Sequence, residues 1–172
     1  MRTVIDWIFS TPKGAEYKML PFLVVAWDQL YSIFVAQLLY TRERLDVMYE
    51  EGTEEVIHIL SWNFPLELVG VAIIEELLFR IIPLIVLIRY VNNRFIIIVS
   101  VLVLSASFAL IHGGWEKIFL QGVGGVVYSI LFIKYSAGGT KFLQASLVVI
   151  LVHIIFNAVT TLLAVSAGAT TF

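Results

Sequence analysis

Cysteine is absent from the 172 residues. Disulfides, thiol nucleophiles and thiolate metal sites are therefore excluded. Charge is also scarce, at 14% of residues, where an ordinary soluble domain carries about 25%. The formal net charge is -2, which leaves no basic stripe for a nucleic-acid partner. The N-terminus, Met1-Arg2-Thr3-Val4-Ile5-Asp6-Trp7, lacks the long apolar run and small-residue cleavage site of a signal peptide. With no glycine at position 2 and no cysteine, a lipid anchor is not expected. Membrane insertion is expected to come from the hydrophobic segments themselves.

Those segments dominate what is present. Hydrophobic residues make up 60% of the chain, and the mean hydropathy is +0.95. This is the composition of an all-α integral membrane protein, a polytopic helical bundle in the lipid bilayer. The length suits one membrane domain over 1–172. Neither repeats nor low-complexity linkers divide it.

Residues 1–18 are mixed and read as a short interfacial segment, with Trp7 and Lys18 at headgroup level. A first span is expected over about 19–40, since about 20 residues cross the hydrocarbon. It carries Asp28, Gln29 and Gln37, so one face should look at protein. Asp28 reads as a packing or hydrogen-bonding residue. Residues 41–55 hold most of the soluble charge. A short amphipathic helix at 56–62 would place His58 at the surface. Pro65 suits the first turn of the next helix.

Four further spans are expected, at about 66–90, 95–112, 117–135 and 140–166, each close to the length a bilayer requires. Pro83 should kink the first of these just after Arg80. Gly113-Gly114 should stop the next one. Gly122, Gly124 and Gly125 should allow a neighbour close approach. With five spans the termini lie on opposite sides. Seven flanking Lys and Arg residues then share the N-terminal side and three the other, so the N-terminus is expected to be cytoplasmic and the cell membrane the location.

Against this apolar background stands Glu75-Glu76-Leu77-Leu78-Phe79-Arg80. Three charges in six residues are costly to desolvate unless they are paired, and inside a membrane they mark a functional site. Glu76 and Arg80, four apart, share a helix face and can pair. Glu75, about 100° away from Glu76, points elsewhere. One carboxylate is thus neutralised and the other is free for chemistry.

His112 ends the third span, and His153 and Asn157 lie four apart on the fifth. The topology puts Glu75, His112, His153 and Asn157 in one half of the bilayer, with Glu75 roughly 14 Å deep. Two carboxylates, two imidazoles and an amide suggest hydrolysis by activated water. A carboxylate would act as general base and a His and an Asn as donors to an oxyanion. Glu75, His112 and His153 would also make three N/O ligands with an open position for zinc. The spacing leaves both open, although no HExxH helix is present. A proton pathway fits less well, because it would need polar groups through both leaflets.

Glu75-Glu76-Leu77-Leu78-Phe79-Arg80 fits EExxxR. Phe108-Ala109-Leu110-Ile111-His112 fits FxxxH. His153-Ile154-Ile155-Phe156-Asn157 fits HxxxN. In this order, on separate hydrophobic helices, they resemble the CAAX protease and bacteriocin-processing (CPBP, or Abi) family of intramembrane endopeptidases. The resemblance covers residues 66–166, the helical core; residues 1–65 lie outside it. It implies a peptide-bond hydrolase acting on a peptide or membrane-protein substrate. Glu75 would activate the water with help from His112. His153 and Asn157 would stabilise the oxyanion. Glu76 would share proton handling and pair with Arg80, and Phe108 would support the site. The family's eukaryotic-type prenyl peptidases look metal-independent, so no cofactor is favoured. The non-cytoplasmic opening and short chain lean toward secreted peptides, leader peptides or membrane-protein segments rather than prenylated tails. The competing reading is a non-catalytic scaffold, such as a bacteriocin-immunity protein, on the same fold.

Overall fold

A computed structural model describes residues 3–40 and 64–168. The charged stretch 41–55, the expected helix at 56–62 with His58, and the last four residues lie outside the described part.

Every regular element in the described residues is helical. A short helix α1 (Val4–Ile8) opens the chain, closed at its start by a capping box between Thr3 and Asp6. α2 (Ala15–Leu39) follows. α3 (Phe64–Glu76) runs into a π-helical turn, Leu77–Ile81, and continues as α4 (Ile82–Tyr90). α5 (Arg94–Ile111) comes next. A second π turn, Ile118–Gly122, leads into α6 (Val123–Tyr135). The long α7 (Phe142–Gly168) ends the described chain.

Four helical stretches are long and apolar enough to cross a membrane: Ala15–Leu39, Arg94–Ile111, Ile118–Tyr135 and Phe142–Leu163. The expected segment at 66–90 is helical throughout, but as three pieces joined end to end. Pro83 falls in the first turn of α4. A proline there cannot donate to the carbonyl four residues back and crowds it. The expected kink is realised as the wider π turn that precedes it, which carries Arg80.

α6 is the centre of the bundle. In its span 56% of residues are buried, against 17–28% in the other three. Tyr128, Leu131, Phe132 and Tyr135 are almost wholly enclosed. α7 packs against α2, α3 and α6, and α5 packs against α6 and the turn before it. The outer helices turn Phe22, Leu30, Leu102, Leu147 and Leu162 outward, as a lipid-facing surface requires.

The N-terminal segment is fastened to one end of this bundle. Lys134 of α6 is buried and donates to the Trp7 carbonyl at 3.0 Å. It also pairs with Glu16 at 3.1 Å and sits over the Trp7 ring. Arg94 pairs with Asp6 at 3.0 Å. Pro21, inside α2, leaves the Tyr17 carbonyl without its helical donor. The Tyr135 hydroxyl donates to that carbonyl instead. The expected interfacial segment is thus a small helix gripped by cations at the ends of α5 and α6.

Candidate active site

The site is assembled by four elements: the end of α3 with its π turn, the end of α5, the middle of α6 and the middle of α7. Glu76 is fully buried and Arg80 nearly so. Arg80 Nη1 donates to Glu76 Oε1, as the four-residue spacing anticipates. Arg80 Nε donates to the Gly125 carbonyl at 3.4 Å. The guanidinium lies 4.8 Å from the Phe108 ring centre and 5.1 Å from that of Tyr128. Such ring faces stabilise a cation that has left water. Gly125 makes room for it, since a Cβ there would come within 3.3 Å of Arg80 Nη2. Gly125 thus admits a charged side chain as well as the close approach of α5 through Ser105, and Gly122 meets the Ser105 backbone carbonyl.

His153 is buried on α7 and places Nδ1 at 2.7 Å from Glu76 Oε1. That oxygen already accepts from Arg80, and as an acceptor toward the ring it makes His153 Nδ1 the proton-bearing nitrogen. His153 Nε2 then faces Glu75 Oε2 at 3.5 Å. His112 is arranged in parallel. Its Nδ1 lies 2.8 Å from the Phe108 carbonyl, which can only accept. Its Nε2 lies 3.1 Å from Glu75 Oε1. Each Glu75 oxygen thus faces an imidazole Nε2 whose ring partner already bears a hydrogen. Two lone pairs do not attract, so a positive group is needed at these contacts, which a shared proton or a cation would supply.

Local structure explains His112. It caps α5, and Gly113 and Gly114 follow with φ of 91° and 68°. That left-handed pair suits glycine and ends the helix at once. Phe108, one turn earlier, supplies the carbonyl that orients the imidazole and a ring 4.5 Å from it, centre to centre.

The structure brings Glu75, Glu76, Arg80, Phe108, His112 and His153 together. Asn157 lies one turn beyond His153 on α7, half-buried, with no hydrogen bond to them. Next to it, Gln29 of α2 donates to the Phe156 carbonyl at 2.9 Å and to Thr160 Oγ1 at 2.8 Å. Of the polar residues expected to give α2 a protein-facing side, Asp28 is buried and Gln29 is bonded, while Gln37 is exposed. Tyr128 was not anticipated. It lies beneath Arg80 and 5.8 Å, centre to centre, from the His153 ring. Its mid-span position, away from the interface that tyrosine favours, was the available signal.

Among the described residues, no three or more of His, Asp and Glu are grouped to hold a metal ion. The two Nε2 atoms contact opposite oxygens of one carboxylate, and His153 Nδ1 is held by Glu76.

The sequence model of a family described as Type II CAAX prenyl endopeptidase Rce1-like matches residues 58–159. The chain belongs to that family. The match contains all three motifs and leaves α1 and α2 outside it. No curated protein and no solved structure matches the chain. The Rce1-like membership and the four membrane-length helices make this an integral membrane protein of the CAAX-endopeptidase type.

Proposed function

We propose that this chain is a glutamate-dependent intramembrane endopeptidase that hydrolyses a peptide bond without a metal. The observation that carries the reading is the Glu75 carboxylate, held between the Nε2 atoms of His112 and His153. For catalysis the shared proton rests on His112, leaving Glu75 ionised. Glu75 then takes a proton from water as the water oxygen attacks the scissile carbonyl. The resulting oxyanion accepts from Asn157 and from protonated His112. On collapse the C–N bond breaks, and the proton held by Glu75 passes to the leaving amine. Glu76 and Arg80 do not touch the reacting atoms in this scheme. They fix the tautomer and the orientation of His153, as outer partners of catalytic histidines do.

The proposed substrate is a peptide segment that enters from the bilayer. The family name brings prenylated CAAX tails forward, while the expected non-cytoplasmic opening favours leader peptides and membrane-protein segments. With the N-terminus cytoplasmic, α1 and the Lys134 clamp would lie at the inner face of the cell membrane.

Purified protein in micelles should cleave a peptide library containing prenylated and unprenylated members. Glu75→Ala should lower kcat by at least about 100-fold, the scale of a lost general base, with expression unchanged. Cleavage should persist in chelator. Activity in Glu75→Ala would overturn the role of Glu75, and loss in chelator would restore a metal. A protein that cleaves nothing, yet protects cells from a bacteriocin with Glu75, His112, His153 and Asn157 all replaced by alanine, would be a scaffold.

A further inference from the structure

Asp28 is a buried charge beside the site that the proposed chemistry leaves unused. It sits mid-way along α2, outside the residues matched by the family, and only 3% of it is exposed. Its Oδ1 is buried without a hydrogen-bond partner. The carboxylate rests on Gly124 of α6, where a Cβ would come within 3.0 Å of Oδ2 and 3.1 Å of Oδ1. One turn further along α6 is Tyr128, whose buried hydroxyl lies beside Asp28 without a hydrogen bond of normal geometry. The Tyr128 ring lies under Arg80.

Arg80 reaches the same turn of α6 from the π turn and docks on the next residue, Gly125. Two adjacent glycines thus receive two opposite charges from two different elements. No direct ion pair joins Asp28 to Arg80, but they rest on adjacent residues of α6, and the Tyr128 ring lies 5.1 Å from the guanidinium. Among the described residues of this cluster the carboxylates are Glu75, Glu76 and Asp28, and the permanent cation is Arg80. A buried carboxylate needs a compensating charge, and Arg80 is placed to supply it.

We propose that Asp28 is a positioning residue of this site. From α2 it draws Arg80 onto α6, with Tyr128 as the spacer, and so keeps Glu76 locked on His153. The catalytic part of this inference rests on the endopeptidase reading; the coupling between Asp28 and Arg80 does not. It gives α2 a part in the site beyond packing.

The test is a double-mutant cycle with Asp28→Asn and Arg80→Gln on the full chain in micelles, read by kcat, KM and thermal midpoint. Asp28→Asn should lower kcat about 10-fold, the scale of a small misplacement, with KM changed less than about 2-fold. In the Arg80→Gln background it should have almost no further effect, because coupled residues are not additive. Equal factors in both backgrounds would overturn the proposal, as would an unchanged kcat in Asp28→Asn. The thermal midpoints give the same cycle without any cleavage. Additive midpoint losses overturn the coupling. Non-additive losses in a protein that cleaves nothing uphold it, while the endopeptidase reading fails. If either variant does not fold, Tyr128→Phe replaces it in the cycle. Its effect should vanish in whichever of Asp28→Asn and Arg80→Gln still folds, and independence there overturns the proposal.

Discussion

The Phe108 carbonyl decides more about His112 than the histidine itself does. By accepting from Nδ1 it fixes the tautomer and turns Nε2 to Glu75. Glu76 does the same for His153 while also neutralising Arg80. The two neighbouring carboxylates therefore differ in what their loss should do. Glu76→Gln leaves the Arg80 guanidinium buried without its counter-charge. Breaking such a pair costs about 3–5 kcal/mol. Glu76→Gln should unfold at markedly lower temperature, whereas Glu75→Gln, at a partly open position, should retain the wild-type midpoint and lose activity. Thermal unfolding in micelles, run beside a cleavage assay, separates the two. The pairing of Glu76 with Arg80 was legible from a spacing of four. The topology also placed both imidazoles in the same membrane half as Glu75; which carboxylate oxygen each Nε2 meets was not legible, because His112 and His153 come from different helices.

At the scale of elements, α6 is where the bundle is least tolerant. Gly125 faces Ser105 and Arg80, and a Cβ there would stand 3.1 Å from Ser105 Oγ and 3.3 Å from Arg80 Nη2. Gly125→Ala should destabilise by about 1–3 kcal/mol, as overpacking does, and should lower activity through Arg80. Gly70 of α3 is the control, since a Cβ there meets nothing within 4 Å. Gly70→Ala should be neutral or stabilising by up to about 1 kcal/mol through helix propensity. Midpoints of the two variants, measured together, check the contrast. The sequence marks both as glycines in apolar helices, and only the packing tells them apart. The π turn at Leu77–Ile81 is a similar case. Pro83 announces a disturbance, but a kink and a widened turn relieve the same clash.

For the whole molecule, the N-terminal segment closes one end of the bundle through Lys134, Arg94 and Asp6. The hydrogen bonds from Thr3, and then the charge of Arg94, hold the Asp6 carboxyl below its usual range. A depressed carboxylate contributes stability that is full above the unfolded value of about 3.9. That contribution is lost as pH falls through the lower folded value. The Asp6 end of the clamp should therefore hold at neutral pH and release in strong acid, with the Lys134 bond to the Trp7 carbonyl kept. Trp7 emission, taken as the difference between wild type and Trp7→Phe, should report the release, and Asp6→Asn should flatten the response.

Composition alone determined that the chain lives in a membrane. Apolar residues at this density can satisfy their backbone in lipid only as helices. Motif order alone marked Glu75, Glu76, Arg80, His112, His153 and Asn157, because charged and polar groups are too costly in such helices to lack a purpose. What the tertiary structure decided is which of these touch. Asn157 stands a turn away, while Tyr128 and Asp28 join from helices that carry no motif. The reason is physical. Periodicity reports which face a residue occupies on its own helix. Which faces meet depends on the packing of α2, α5 and α7 around α6, and on the two glycines that let charge approach its backbone.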